Sequence, residues 1–307
     1  MKLDVARRRP ELRFAYSRPG LVTFKSPSTI APDDRSGTPF ARVWGASIGA
    51  SRDPADAAHR VAQLGATRVH VFARDVADDD EGPDLSAWRA ALQAWPTGPA
   101  HDGELVADVI VARGDEPAWL GLHRQDDQHL SHPGGAIPVD VPADAPSRAY
   151  AKIEEAIAWA KLPIAAGQVA LEIGAAPGGA VMALAKRGVE VWGVDTGELA
   201  PQVLALPGVH HLALKVGALR WEQLPPRVDW LLVDVNLAPQ VALHEIARLM
   251  PKLSPTLCGA VITLKLNDWS FVEQLPSLVA RVESFGFRDV RLRHLPSNRR
   301  EICCVAL

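Results

Sequence analysis

From Ser147 onward, short apolar runs and amphipathic stretches take turns. Val169–Ile173, Val189–Val194, His211–Val216, Trp230–Val235 and Ala260–Leu266 read as strands. Arg148–Ala160, Gly179–Lys186, Val241–Met250 and Phe271–Phe285 read as helices, and two further strands lie near Val290–Leu295 and over Ile302–Leu307. Strands alternating with helices predict a parallel, doubly wound α/β sheet, which binds ligands beyond the carboxyl ends of its strands. The N-terminal part mixes its elements differently. Phe40–Ile48, Arg68–Ala73, Leu105–Val111 and Trp119–His123 read as strands. Asp53–Leu64, with Ser51 or Asp53 as cap, and Leu85–Ala94 read as helices. This is an α+β layout with a mostly antiparallel sheet. Between the two parts, residues 132–146 are rich in proline and glycine and predict an extended connector. The expected organisation is a basic segment over 1–40, an α+β domain over 41–131, the linker 132–146, and an α/β domain over 147–307.

Composition adds exclusions. The 307 residues are 48% hydrophobic and 22% charged, as in globular chains. The formal net charge of −3 disfavours coating nucleic acid by bulk charge, although residues 1–45 hold nine Lys or Arg against four Asp or Glu. Cys258, Cys303 and Cys304 form neither a disulfide framework nor a metal spacing, and the adjacent His210 and His211 face opposite ways on a strand, so no metal is expected. The basic start, Met1–Pro10, has no apolar run behind it, and Glu172, Pro177 and Gly178-Gly179 interrupt the most apolar stretch, Leu162–Ala185. A cytoplasmic protein without membrane contact is the expectation.

Two features suggest a nucleoside-containing ligand. At the first strand-to-helix junction stands Glu172-Ile173-Gly174-Ala175-Ala176-Pro177-Gly178-Gly179, small residues that let a ligand approach the backbone before a helix start. The spacing is neither the dinucleotide fingerprint nor a P-loop. At the end of the next strand, Asp195 can accept ribose hydroxyls. Taken alone, each could equally be a tight turn and a surface carboxylate.

Charged residues gather at one sheet edge. Asp234 and Lys265 each terminate an apolar parallel strand, and Glu301 begins the last strand. If that strand runs antiparallel, Glu301 lies at the same edge, and Lys152 can approach from the helix before the first strand. Each residue alone is more simply a solvated charge, but a converging buried set needs partners or a role.

These residues resemble the FtsJ-like family of S-adenosylmethionine (SAM) dependent ribose 2′-O-methyltransferases, which carries a Lys-Asp-Lys-Glu tetrad. Ser147-Arg148-Ala149-Tyr150-Ala151-Lys152 matches its first lysine, Gly174 to Gly179 its glycine turn, Asp234 and Lys265 its strand-end members, and Arg300-Glu301 its final glutamate. The match covers residues 140–307. The segment from Pro142 to Arg148, followed by Lys152-Ile153-Glu154-Glu155, looks most like the RlmM branch, which methylates a cytidine of large-subunit ribosomal RNA and carries an N-terminal THUMP module. The resemblance implies a Rossmann-like class I methyltransferase domain with an antiparallel last strand, preceded by a THUMP-like α+β domain. It implies SAM as cofactor, held by Glu172, Gly174, Ala175, Ala176, Pro177, Gly178, Gly179, Asp195 and Asp234. It implies Lys152, Asp234, Lys265 and Glu301 as catalytic residues, with RNA, ribosomal RNA in the RlmM branch, as partner and no DNA. Lys265 would take or steer the 2′-OH proton. Lys152 would lower its pKa, while Asp234 and Glu301 would oppose that. Arg288, Arg291, Arg293, Arg299 and Arg300 crowd near the site and suit phosphate.

The sequence departs from the family in three places. Lys215-Val216-Gly217-Ala218 has no carboxylate where the family often contacts adenine. Ala180 stands where an aromatic often follows the glycines, and the acidic run Asp78-Asp79-Asp80-Glu81 reads as a solvated loop. The first departure motivates a second reading, a non-catalytic RNA-binding or ribosome-assembly protein on the same fold. A methyltransferase acting on a small molecule or a protein is a third.

Overall fold

The computed structural model describes residues 1–74 and 82–307, so the acidic run Asp78–Glu81 lies outside the described residues. The chain forms two compact units, Met1–Ile137 and Pro138–Leu307.

In the first unit, helix α1 (Lys2–Arg8) precedes a hairpin of β1 (Arg13–Arg18) and β2 (Leu21–Lys25). The turn Arg18-Pro19-Gly20-Leu21 places Gly20 at φ +74°, the left-handed position that a type II turn reserves for glycine. These elements fall in the segment 1–40, where the reading above places only basic charge. A four-stranded sheet follows, in the order β3 (Ala46–Ser51), β6 (Ala118–Arg124), β5 (Leu105–Val111), β4 (Arg68–Ala73). The pairs β3–β6 and β5–β6 are antiparallel and β4–β5 is parallel. Helices α2 (Pro54–Gln63) and α3 (Ser86–Ala91) accompany it. Asp53 caps α2 by accepting a hydrogen bond from the Ala55 N–H at 2.9 Å, and Pro54 supplies the first-turn residue that needs no donor. Ala57 and Val61 of α2, Trp88 of α3 and Leu92 pack on Val69, Val109 and Leu120 of the sheet.

The predicted strand Phe40–Ile48 is displaced to Ala46–Ser51. The Arg42 carbonyl accepts from the Leu130 N–H, and a Cβ on Gly45 would run into the Leu122 carbonyl, so pairing with β6 starts only beyond Gly45.

Strand alternation turns His70, Asp108 and His123 away from the apolar cluster, to the other face of the same sheet, where all three are buried. His123 Nδ1 lies 2.6 Å from Asp108 Oδ2, His70 Nδ1 lies 3.8 Å from Asp108 Oδ1, and the His129 ring stacks on His123 at 4.4 Å. Burial works against a charged His123, yet Asp108 overcomes it and holds the imidazole above its ordinary pKa. Burial lowers His70 and His129.

The second unit is a seven-stranded sheet in the order β12 (Val290–Arg293), β13 (Glu301–Ala306), β11 (Gly259–Lys265), β10 (Trp230–Val233), β7 (Val169–Ile173), β8 (Glu190–Val194), β9 (Val209–Leu212). The helices are α4 (Ala149–Ala160), α5 (Gly179–Lys186), α6 (Pro201–Leu204), α7 (Pro239–Leu253), α8 (Ser270–Glu273) and α9 (Leu275–Glu283). Strands β7 to β11 run parallel to one another, and β13 runs antiparallel to both β11 and β12. The sheet is Rossmann-like, with an antiparallel strand, β13, set beside β11. The chain starts at β7, winds outward to β9, and returns to build the other side from β10, so the strand order reverses between β7 and β10. That is where such a sheet opens a crevice for ligands.

Two elements differ from the sequence reading. The helix expected over 271–285 is split, because Pro276 opens a new helix and cannot continue the old one. The third strand is Val209–Leu212 rather than His211–Val216. Its register on β8 is set from Gly208, and the chain turns at Leu214. Among the described residues, no helix is long and apolar enough to cross a membrane.

Candidate active site

The carboxyl ends of β10 and β11 deliver Asp234 and Lys265. Strand β13 pairs Glu301 directly opposite Lys265, so an antiparallel last strand brings a carboxylate to the edge where the parallel strands end. Helix α4 brings Lys152 over the same edge. The four side chains close a ring. Lys152 Nζ lies 2.9 Å from Asp234 Oδ2 and 2.5 Å from Glu301 Oε1. Lys265 Nζ lies 2.6 Å from Asp234 Oδ1 and 2.7 Å from Glu301 Oε2. Each carboxylate thus gives one oxygen to each lysine. The ring is formally neutral and recessed, with side-chain exposures between 8% and 19%.

The ring settles a balance that the sequence leaves open. Burial alone would lower Lys265, but Asp234 and Glu301 outweigh it and hold the ammonium above the usual lysine pKa. The expectation that Lys152 lowers Lys265 gives way to these two contacts. Burial likewise opposes the charge on Asp234, and Lys152 and Lys265 reverse it, holding the carboxyl below its usual value.

The glycine turn is shaped by close approach. Gly174 takes φ +88°, and a Cβ there would collide with the Asp234 carbonyl. Gly178 takes φ +109° and lies against Val203, while a Cβ on Gly179 would meet Ser147 at the start of α4. The turn, the Asp234 strand end and the Lys152 helix are therefore packed with no room for a larger residue. Asp195 holds the turn from the β8 end, accepting from the Ala176 N–H at 3.1 Å and the Gly197 N–H at 2.8 Å.

Glu172 lies beneath the ring, 1% exposed, with Oε2 unpartnered. It shares a small cavity with Lys152, Asp234, Thr263, Asn298 and Cys303. Burial, then the negative charges of Asp234 and Asp195, push its carboxyl well above the ordinary range. A raised carboxyl contributes stability in full below its unfolded pKa of about 4.3. That contribution is lost as pH rises toward the folded value. Glu172→Gln keeps the neutral shape and loses this penalty. The melting temperature of the variant relative to the wild type is therefore expected to rise between pH 5 and pH 8, and parallel melting curves at the two pH values would refute it.

Sequence reading does not find two further contacts. Glu155, 3% exposed and one helical turn beyond Lys152, accepts from both the N–H (2.9 Å) and the Oγ–H (2.7 Å) of Ser297. The helix that presents Lys152 thereby also anchors the loop leading to Glu301. Near the turn Val216–Ala218, which has no carboxylate of its own, Glu245 of α7 places one beside Gly217. Of the arginines expected near the site, Arg299 and Arg300 stand exposed just before Glu301. Arg293 is buried, with its guanidinium 5.9 Å from the Trp159 ring centroid, and Arg291 lies over the same ring at 5.8 Å. Among the described residues, no three His, Cys, Asp or Glu are grouped to hold a metal ion.

The model of the FtsJ-like methyltransferase family matches residues 145–267. Among curated relatives, ribosomal RNA large subunit methyltransferase M of Thauera aminoaromatica is 35% identical over 197 residues, covering 60% of this chain and 52% of the relative. The protein of that name from Alkalilimnicola ehrlichii is 35% identical over 219 residues, 67% of this chain and 54% of the relative. That from Halorhodospira halophila is 37% identical over 244 residues, 74% of this chain and 68% of the relative. The chain spans about half the length of the first two relatives. A solved structure, the Methanococcus jannaschii fibrillarin pre-rRNA processing protein, is 15% identical with a TM-score of 0.41 over 67% of this chain and 83% of its own, too remote to carry an argument. The matched segment holds the glycine turn and three of the four ring residues, and the similarity to the Halorhodospira protein extends over two thirds of that relative, so this chain belongs to the FtsJ-like methyltransferases and, within them, to the family of ribosomal RNA large subunit methyltransferase M.

Proposed function

We propose that this chain transfers a methyl group from SAM to a ribose 2′-hydroxyl of RNA, and that the RNA belongs to the large ribosomal subunit. The closed Lys152–Asp234–Lys265–Glu301 ring, recessed at the carboxyl edge of the sheet, carries the reading. The names of the similar proteins support the choice of RNA. The first unit is assigned as a THUMP-like RNA-binding domain on its α+β sheet and its surplus of basic residues before position 46.

The residues around the glycine turn fit SAM. Asp234 and Asp195 bring negative charge there, and a cationic ligand would draw the buried Glu172 carboxyl, whose Oε2 is unpartnered, toward its charged form. Gly174 to Gly179 would admit the methionine part, and Asp195 the ribose. When bound, SAM supplies an electrophilic methyl group on a positively charged sulfur.

The chain's own residues have to hold the ribose hydroxyl and take its proton. An ammonium has three donors. Lys265 commits two of them to Asp234 Oδ1 and Glu301 Oε2. The third direction is the one left for the 2′-oxygen. In the neutral amine the lone pair occupies that same direction, so the two carboxylates aim it at the hydroxyl proton. Lys152 pairs with both carboxylates and holds them in place. Holding the reacting groups in register can contribute about 7–11 kcal/mol in favourable systems.

The test is methyl transfer from radiolabelled SAM to large-subunit ribosomal RNA, followed by alkaline hydrolysis. Cleavage needs a free 2′-hydroxyl, so label is expected in alkali-resistant dinucleotides. Label on bases, or none with SAM binding intact, would overturn the reading. Absence of calorimetric heat at millimolar SAM would favour the non-catalytic alternative.

A further inference from the structure

Trp269 follows the ring residue Lys265 by four positions and is 70% exposed, the largest value among the large apolar residues found at the surface. Its backbone is fixed. Asp268 accepts from the Ser270 N–H at 2.7 Å and from the Phe271 N–H through its carbonyl, and the Trp269 carbonyl accepts from Val272. Val272 and, in α9, Leu275 anchor this turn in the core. The indole is thus displayed from a built support four residues beyond the ring residue Lys265. The strand extension just before it is tied to the arginine pair, because the Leu266 N–H donates to the Arg300 carbonyl at 2.7 Å. Arg299 and Arg300 are exposed there, and Arg148, also exposed, reaches the Ser297 carbonyl at 3.5 Å. A flat aromatic face beside cationic groups is the combination that binds unpaired nucleic acid, with bases on the ring and phosphates on the guanidinium groups.

We infer that Trp269 is a stacking platform for an unpaired nucleobase next to the methylated ribose, so that the substrate is taken as a single strand or with its nucleotide turned out of a helix. The inference rests on the RNA reading above and adds the form of RNA accepted. Base pairs occupy both faces of their neighbours, whereas an unpaired base has a face free for the indole. Of the possible occupants of an exposed tryptophan, RNA is favoured by the three arginines and by the four-residue separation from Lys265.

The test compares wild type, Trp269→Ala and Trp269→Phe for binding of a short labelled unpaired RNA and of the same sequence as a duplex. SAM affinity by calorimetry and sedimentation are measured on the same preparations. Trp269→Ala is expected to weaken single-strand binding roughly 5- to 150-fold. Trp269→Phe should recover most of that loss, and duplex binding and SAM affinity should stay unchanged. Equal single-strand binding by Trp269→Ala with SAM binding intact overturns the inference, as does a changed oligomeric state without a change in RNA affinity, which would mark a contact between copies. If Trp269 governs binding of unpaired RNA but the wild type methylates no RNA, the platform stands and the transferase reading fails. If the wild type methylates RNA and Trp269→Ala does so equally, the transferase stands and the platform fails.

Discussion

Lys265→Ala is expected to lower methyl transfer by about 10²- to 10⁴-fold, the range for loss of a positioned acid–base group, while SAM binding survives. The size follows from the geometry. The side chain commits two of its three donor directions to the carboxylates and keeps one for the hydroxyl, and both carboxylates are already committed to lysines. The pH dependence gives a sharper check. With its pKa held above the usual lysine value by Asp234 and Glu301, Lys265 is overwhelmingly in its ammonium form at neutral pH. Transfer by the wild type should therefore climb about tenfold per pH unit through neutral and mildly alkaline pH, and the residual rate of Lys265→Ala should not. Single-turnover rates from pH 6.5 to 9.5 measure both. A flat wild-type profile would show that Lys265 positions the hydroxyl and never takes the proton.

Asp108→Ala is expected to destabilise the first unit by about 3–5 kcal/mol, since it strands His123 in a buried site without its partner. For a unit of this size that is a fall in unfolding midpoint on the order of 10–15 °C. The sign with pH is set by the raised pKa of His123. The stabilisation is fully present below the ordinary histidine value and is lost as pH rises through the folded value, so the deficit of the variant should shrink in alkali. His70 and His129, both lowered, act in the opposite sense, losing stability as pH falls through their unfolded value. The other groups facing the cluster are Gln125 and Asp126, with Arg68 beside His70. Thermal unfolding of both proteins at pH 6 and pH 9 checks size and direction together, and a deficit independent of pH would count against a charged His123.

Asp234 and Lys265 are legible in the sequence because each ends an apolar run, and a parallel sheet puts such ends on one edge. Glu301 is legible only once the last strand is taken as antiparallel, which the pairing of Lys265 with Glu301 bears out. The contact between Glu155 and Ser297 is not legible. It joins residues 142 positions apart, and a glutamate on a helix ordinarily faces water. Trp269 is passed over for a related reason. Aromatic residues in a strand-and-helix sequence are usually core, and only coordinates separate an exposed indole from a buried one. The hairpin near the start carries its signal in Pro19-Gly20, set within a segment dense in basic charge.

Strand β13 lies between β12 and β11, and among the described residues β12 pairs with no other strand. Strand β12 therefore joins the sheet only through β13, and of this antiparallel pair the strand that meets β11 carries Glu301. Without that strand, Lys152 and Lys265 would share one carboxylate, Asp234, between two like charges. Closing the four-membered charge ring thus coincides with completing the sheet.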